Sequence, residues 1–375
     1  MRFPEFSGEW VKYRVSDVLD FYSTNSLSWD QLEYNTDELQ NLHYGLIHVG
    51  LPTAVDMNES ILPNIKKEFL PKNYELCKNG DVAFADASED TNEVAKAIEF
   101  VNLSNRNVVC GLHTIHGRDN HNLTSVGFKG YAFASESFHN QIRRIAQGTK
   151  IFSISCKNFT ECYIGIPSKE EQTKIAKLLG LVDERISTQI RIIEKLQSLM
   201  KGLAEHLTAF TSNIKIADCL NCHSSILQEN QVKDEGKYKV YGANGICGYS
   251  DSPAILEDTI LIVKDGSGVG NVSYASGEYS VIGTSNYLTA KSGYSLKYLY
   301  YCLMIFNFVP YRTGMAIPHI YFKDYGKALI YCPSLDKQIQ IATLLSKIEC
   351  KIEAEKTITD SYQQQKRFLL QSMFI

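Results

Sequence analysis

A chain of 375 residues can form two domains of ordinary size, each with its own core. Hydrophobic residues at 44% and charged residues at 21% exclude a disordered protein, and the lack of any apolar run of about 18 residues excludes a helical membrane span. A net charge of −4 argues against a free-standing binder of polyanions unless charge is segregated along the chain.

The opening segment, Met1-Arg2-Phe3-Pro4-Glu5-Phe6, lacks the apolar stretch of an export signal. The ten cysteines are therefore expected as reduced thiols, and the protein in the cytoplasm. A first globular half begins near Tyr13 (YRVSDVL) and reads as short strands and loops, with residues 81–84 strand-like and 75–99 acidic. A Gly-flanked segment then crowds His113, His116, Arg118, Asn120, His121 and Asn122, and Lys129, Arg143, Arg144 and Lys150 follow. Across 118–157, six basic side chains stand against two acidic ones.

At Pro167 the pattern becomes helical. Pro and Ser open the segment, Glu170 and Glu171 suit a first turn, and Ile175, Leu179, Val182, Ile186, Ile193, Leu196, Met200, Leu203 and Leu207 form a heptad seam broken at Gln189. The pattern predicts a helix over 167–209, and one of roughly 40 residues spans about 60 Å. So narrow a seam on so long a helix needs a partner.

A second half begins near Ile214 (IKIADCL). Cys219-Leu220-Asn221-Cys222-His223 matches the haem-attachment pentapeptide. Haem attachment needs export, and a zinc site needs a second ligand pair at suitable spacing, so ordinary thiols and no metal are expected. Residues 259–263 read as a strand, and Gly266, Gly268 and Gly270 read as a turn. Asn244, Lys264, Asp265, Ser267, Arg312, His319 and Lys323 are the polar candidates here, and 291–332 carries five basic residues against one acidic. In both halves the basic residues fall late. Arg, Lys, Asn and Asp match the donors and acceptors on base edges, and Arg and Lys neutralise phosphates.

The segment from Pro333 repeats the one from Pro167 without a gap, PSLDKQIQIATLL against PSKEEQTKIAKLL, at an offset of 166 residues. Identities include Gln172/Gln338, Ile175/Ile341, Ala176/Ala342, Leu179/Leu345 and Ile186/Ile352, and upstream Gly148/Gly314, Ile151/Ile317, Ile154/Ile320 and Lys157/Lys323. The second seam keeps Ile341, Leu345, Ile348 and Ile352, then turns polar at Glu355, Thr359 and Lys366. The chain is a duplication of α+β class. It is expected as two globular α/β recognition domains in pseudo-twofold tandem repeat, at 1–166 and 210–332, each followed by a long helix, at 167–209 and 333–375. The helices are expected to pair as an antiparallel coiled coil. Approximate twofold symmetry of this kind suits duplex DNA.

The paired PS-x-x-x-Q-x-x-I-A-x-L-L stretches, the Gly-x-x-Ile-x-x-Ile lead-ins, the opening RFPEFSGEW, and YGANGICGYSD and VKDGSGVGNVSY resemble the specificity subunit of type I restriction-modification enzymes over essentially the whole chain. The resemblance implies a non-catalytic subunit whose two target recognition domains each read part of a split site in double-stranded DNA. It further implies that the helices set the spacing and dock two methyltransferase subunits, with Gln172, Ile175, Leu179, Val182, Ile186, Gln338, Ile341, Leu345, Ile348 and Ile352 on the seam and docking face. Restriction motor-nuclease subunits would join, and S-adenosylmethionine, ATP and Mg would sit on those partners, with no cofactor in this chain. One departure is Lys337, which stands where the first copy has Glu171.

Catalytic motifs are missing from the sequence. There is no Asn-Pro-Pro-Tyr-like tetrapeptide and no phosphate-binding G-x-x-x-x-G-K-[ST], while Glu349-Cys350-Lys351 lies on the second helix as a solvated face. Two alternatives stand beside the DNA reader: a coiled-coil scaffold that binds no DNA, and a self-contained DNA-modifying enzyme.

Overall fold

The computed structural model describes residues 1–36, 38–208, 210–314 and 316–374. Two helices dominate it, α1 (Lys169–Thr208, 40 residues) and α2 (Leu335–Ser372, 38 residues). Positions 209 and 375, where the sequence pattern ends the two helices, lie outside the described residues. The Ser168 hydroxyl accepts a hydrogen bond from the Glu171 amide, capping the first turn of α1 as the Pro-Ser opening predicts. The chain divides into two compact units, Met1–Ile190 with Ile358–Ile375, and Arg191–Thr357. Each unit therefore holds one globular part and one stretch of each long helix.

In the first unit five strands form a sheet: β1 (Asp20–Tyr22), β2 (Ala54–Asp56), β3 (Val82–Ala85), β4 (Ala97–Asn102) and β5 (Thr114–Arg118), in the order β1-β5-β3-β4-β2. Only the β2–β4 pairing is parallel. A second sheet places Val108–Cys110, Gln40–Leu42, Asn64–Ile65 and Leu32–Glu33 side by side. Phe84, Phe133, Phe138 and Phe159 pack one core, and Leu42, Ile47, Ile98 and Phe100 another.

The second unit is built on β6 (Leu220–Ser224), β7 (Thr259–Val263), β8 (Val272–Ala275) and β9 (Ser285–Ala290), in the order β6-β9-β7-β8 and antiparallel throughout. Substituting β1 for β6, β5 for β9, β3 for β7 and β4 for β8 gives the same order in the first unit. The two globular parts, which barely align in sequence, share one four-strand topology. Their edges differ: β2 is added in the first unit, and a three-stranded sheet of Tyr238–Gly242, Gly245–Ser250 and Tyr279–Val281 in the second.

The duplication is also visible in small pieces. Gln147 and Ser153 exchange two backbone hydrogen bonds, as do Thr313 and His319. Inside these loops Gly148 and Gly314 adopt φ of 141° and 88°, and a Cβ on either would sit 1.9 Å from the Ile151 carbonyl oxygen or 2.3 Å from that of Ile317. Only glycine fits, which explains why the Gly-x-x-Ile spacing occurs twice. The short helices Cys156–Thr160 and Phe322–Tyr325 follow.

Candidate nucleic-acid interface and its helical frame

The frame is a pair of clamps between each globular part and its helix. Gln172 and Gln338 are 1% exposed. The Gln172 carboxamide accepts from the Ser125 amide at 2.6 Å and donates to the Leu123 and Pro167 carbonyls. Gln338 accepts from the Ser295 amide at 2.9 Å and donates to the Pro333 carbonyl. A second clamp is a tyrosine on a carboxylate: Tyr131 donates to Asp183 and Tyr301 to Glu349, both at 2.8 Å. A lysine completes each, Lys366 on Asp183 and Lys297 on Glu349, both at 2.7 Å. Burial, reinforced by the neighbouring carboxylate, pushes both phenols above their usual pKa, so they stay donors. Glu349 is thus no part of a solvated face, as the sequence pattern suggested, but a hydrogen-bonded anchor.

The seam residues are internal. Ile175, Leu179 and Val182 pack with Phe128, Tyr131, Leu369, Met373 and Phe374 in the first unit. Ile341 and Leu345 join Ala204 and Tyr301 in the core of the second. Ile352 is 3% exposed, and Ile186 and Ile348 are half-buried. Within the first unit Asp183 meets Lys366 and Arg185 meets Tyr362, so the helices run antiparallel there. Apart from the half-buried Ile186 and Ile348, these residues and the two glutamines have little or no surface left for docking. The large apolar side chains that α1 and α2 do expose are others: Leu181, Ile190, Leu199, Leu335, Ile339, Leu344, Ile358 and Phe368. Glu171 is buried as well, gripped by the Arg2 guanidinium through two hydrogen bonds, at 2.7 and 2.6 Å, and approached by the Trp10 indole. That grip holds the N-terminal segment, whereas Lys337 is exposed at the matching place.

In the second unit the polar candidates converge. The loop after β7 is tied to the segment before Phe322–Tyr325 by the Ile320 amide on the Lys264 carbonyl and the Gly266 amide on the Pro318 carbonyl, each 3.0 Å. Arg312 donates to the Val269 carbonyl at 2.8 Å. Lys264, Asp265, Ser267, Arg312 and His319 therefore share one loop cluster, with Ser267 and Arg312 exposed. A Cβ on Gly268 would lie 3.8 Å from the Ala243 carbonyl, which brings the hairpin tip carrying exposed Asn244 alongside. Exposed Lys323 follows over the Tyr321 ring. The glycine-rich run is the turn its spacing predicts, with Gly266 and Gly270 at positive φ. Cys219 is buried, Cys222 and His223 lie on β6, and the His223 ring pairs with Thr289.

In the first unit the candidates do not converge. Lys129 is 2% exposed, 3.1 Å from the fully buried Glu99, and donates to Thr124. His116 and Arg118 both reach the buried Asp81, His116 through Nε2 at 2.7 Å and Arg118 through Nε at 2.9 Å and Nη2 at 2.8 Å. Burial works against the Asp81 carboxylate, but the hydrogen bonds from His116 and Arg118 prevail and hold it below the usual range. These three side chains are corrected out of the DNA-facing set, because each is committed to an internal carboxylate. His113 is exposed at one end of β5, paired with Asp86 at 3.1 Å, and ends an aromatic row of Trp29, His43 and Tyr44 that sequence reading missed. Asn120, His121 and Asn122 are exposed at the other end, where Asn120 donates to Asp20 and Tyr22. Arg143, Arg144 and Lys150 lie on or after the helix Glu136–Ile145, with Arg143 paired to Glu136.

Residues 213–362 match the family model described as type I restriction modification DNA specificity domain. A putative type I specificity subunit from Mycoplasma genitalium is 32% identical over 197 residues, which is 47% of this chain and 50% of that protein, so the match spans half the relative's length. Among solved structures, a type I restriction-modification S subunit from M. genitalium superimposes with a TM-score of 0.61 at 18% identity, covering 100% of this chain and 99% of that one. A chain from a structure on complex assembly and conformational transition of the type I system gives 0.57 at 15% identity, covering 98% and 97%. These two likenesses establish a shared fold along the whole chain. The specificity-domain match thus lies in the second half of the chain, and the fold shared with these two chains extends through the first, where the same sheet order and clamps recur.

Proposed function

We propose that this chain is the non-catalytic, sequence-reading subunit of a cytoplasmic type I restriction-modification complex. Each globular part reads one block of a split site in double-stranded DNA, and the long helices set the gap between blocks. The helices also carry two methyltransferase subunits, and restriction motor-nuclease subunits join them. S-adenosylmethionine, ATP and Mg serve those partners. The observation that carries this reading is the repeated frame: one four-strand order and one pair of Gln and Tyr clamps occur twice, while the loops they hold differ completely. A constant frame bearing divergent polar loops is what two different base sequences require. The loop cluster of Asn244, Lys264, Asp265, Ser267, Arg312 and His319 is the reading surface of the second unit. In the first unit the readers come from His113, Asn120, His121 and Asn122, with Arg143, Arg144 and Lys150 serving phosphates. The exposed apolar residues of α1 and α2 receive the methyltransferases.

Co-expression with the cognate methyltransferase and methylome sequencing test this. Two methyltransferase subunits per chain and a methylated site of two short blocks around an unspecified gap are expected, and exchanging residues 1–165 for those of a relative changes one block only. Recovery of a homodimer alone, or a change in both blocks, overturns the proposal.

A further inference from the structure

We propose that the first unit holds a zinc ion between Cys77, Cys110 and His116. Sequence spacing gives no hint of it, since 33 residues separate the two thiols. The fold gathers them nonetheless. Cys110 ends the strand Val108–Cys110 of the second sheet, Cys77 is tied to that strand through its amide on the Val108 carbonyl, and His116 is central in β5 of the first sheet. One ligand atom from each lies within 4.8 Å of the others, and all three residues are buried.

Three observations make this a site for a metal rather than a cluster of inert thiols. The two sulfurs are 3.6 Å apart. Two thiolates bound at about 2.3 Å on adjacent corners of a tetrahedron sit about 3.8 Å apart, so almost no movement is needed. The His116 ring lies fully buried with Nε2 on Asp81, while Nδ1 has no hydrogen-bond partner. An imidazole fixed by a carboxylate on one nitrogen, with the other nitrogen free, is the arrangement that orients a metal-binding histidine. Finally, the charges close. Two thiolates offset the divalent ion, and Asp81 is matched by Arg118 at 2.8 Å.

Two thiols and an imidazole favour zinc over the hard cations, and its arrival displaces two thiol protons to solvent. The set supplies three protein ligands and leaves the fourth position to a water. Because the ligands come from both sheets, the ion staples the second sheet of the first unit onto its main sheet. Among the described residues the second unit gathers no such group.

The test uses the full-length chain, purified under reducing conditions and dialysed against a weak chelator, with retained zinc measured by elemental analysis. About one zinc per chain is expected, and a strong chelator should lower the melting temperature. Replacing zinc with cobalt should give visible ligand-field bands and a near-ultraviolet thiolate-to-cobalt charge-transfer band sized for two thiolates. This readout needs no variant. Cys110→Ser should halve that band or abolish retention, His116→Gln should weaken retention, and Cys222→Ser should change neither. No retained zinc and no charge-transfer band in the native chain would overturn the proposal. A Cys77–Cys110 disulfide in peptide maps of freshly purified protein, or retention unchanged in Cys110→Ser, would also overturn it.

Discussion

Lys129 and Glu99 show why a count of basic residues does not locate a binding face. Lys129 sits in a run with net positive charge, yet its ammonium is buried 3.1 Å from Glu99. Burial raises the Glu99 pKa, opposed first by Lys129 and then by the Gly130 and Gly127 amides that donate to the carboxylate. Removing the lysine alone leaves that carboxylate in a dry site with part of its partners. Lys129→Met is therefore expected to cost about 3–5 kcal/mol of unfolding free energy in denaturant melts. The double variant with Glu99→Gln should recover most of that loss. If Lys129→Met melts like the native chain and instead weakens DNA binding, the residue faces DNA after all. A sequence signal for inward direction did exist for the neighbouring pair. His116 and Arg118 are two apart on one strand, so they share a face, and both meet Asp81 at the head of the run 81–84. Which side of the sheet was covered could not be read from the strand itself, because β5 is paired on both edges and central in its sheet.

At the scale of elements, the long helices were the most legible part, since Pro, Ser and a heptad seam mark them in both copies. Less legible were the clamps. The Gln pair keeps the offset of 166, but its partners Ser125 and Ser295, like the tyrosines 131 and 301, are 170 residues apart. Four extra residues between tyrosine and helix are enough to hide the equivalence from an ungapped comparison. The shared sheet order is hidden more deeply, because strand pairing depends on contacts far apart in sequence and the connecting loops have diverged. The polar breaks in the seam have a role that sequence reading left open. Extending the first-unit register set by Asp183–Lys366 and Arg185–Tyr362 puts Gln189 at the level of Thr359, polar facing polar. Such a layer fixes register at a cost in stability. Gln189→Leu with Thr359→Leu should raise the melting temperature and permit association of extra chains, read by light scattering. A lower melting temperature with an unchanged monomer would assign the pair a different job.

At the scale of the molecule, each compact unit takes one globular part and a stretch of both long helices, so neither half of the sequence folds around its own helix alone. Divergent loops can change without disturbing this frame, provided the clamps at Gln172, Tyr131, Gln338 and Tyr301 are kept. The same logic assigns length to the helices. Deleting seven residues from one helix only shifts every partner beyond the cut, so Lys366 can no longer meet Asp183 while Ile341 and Ala204 stay in one core. That variant should unfold at lower denaturant concentration. Deleting 187–193 together with 355–361 removes one heptad from each antiparallel strand of the pair and leaves both ends in register. Each helix then shortens by about 10 Å, which corresponds to at most about three base pairs of duplex. In the reconstituted methyltransferase complex, the methylated site should keep both blocks and lose up to that many positions from the gap. Altered blocks with an unchanged gap would show that the loops, and not the helices, measure the distance.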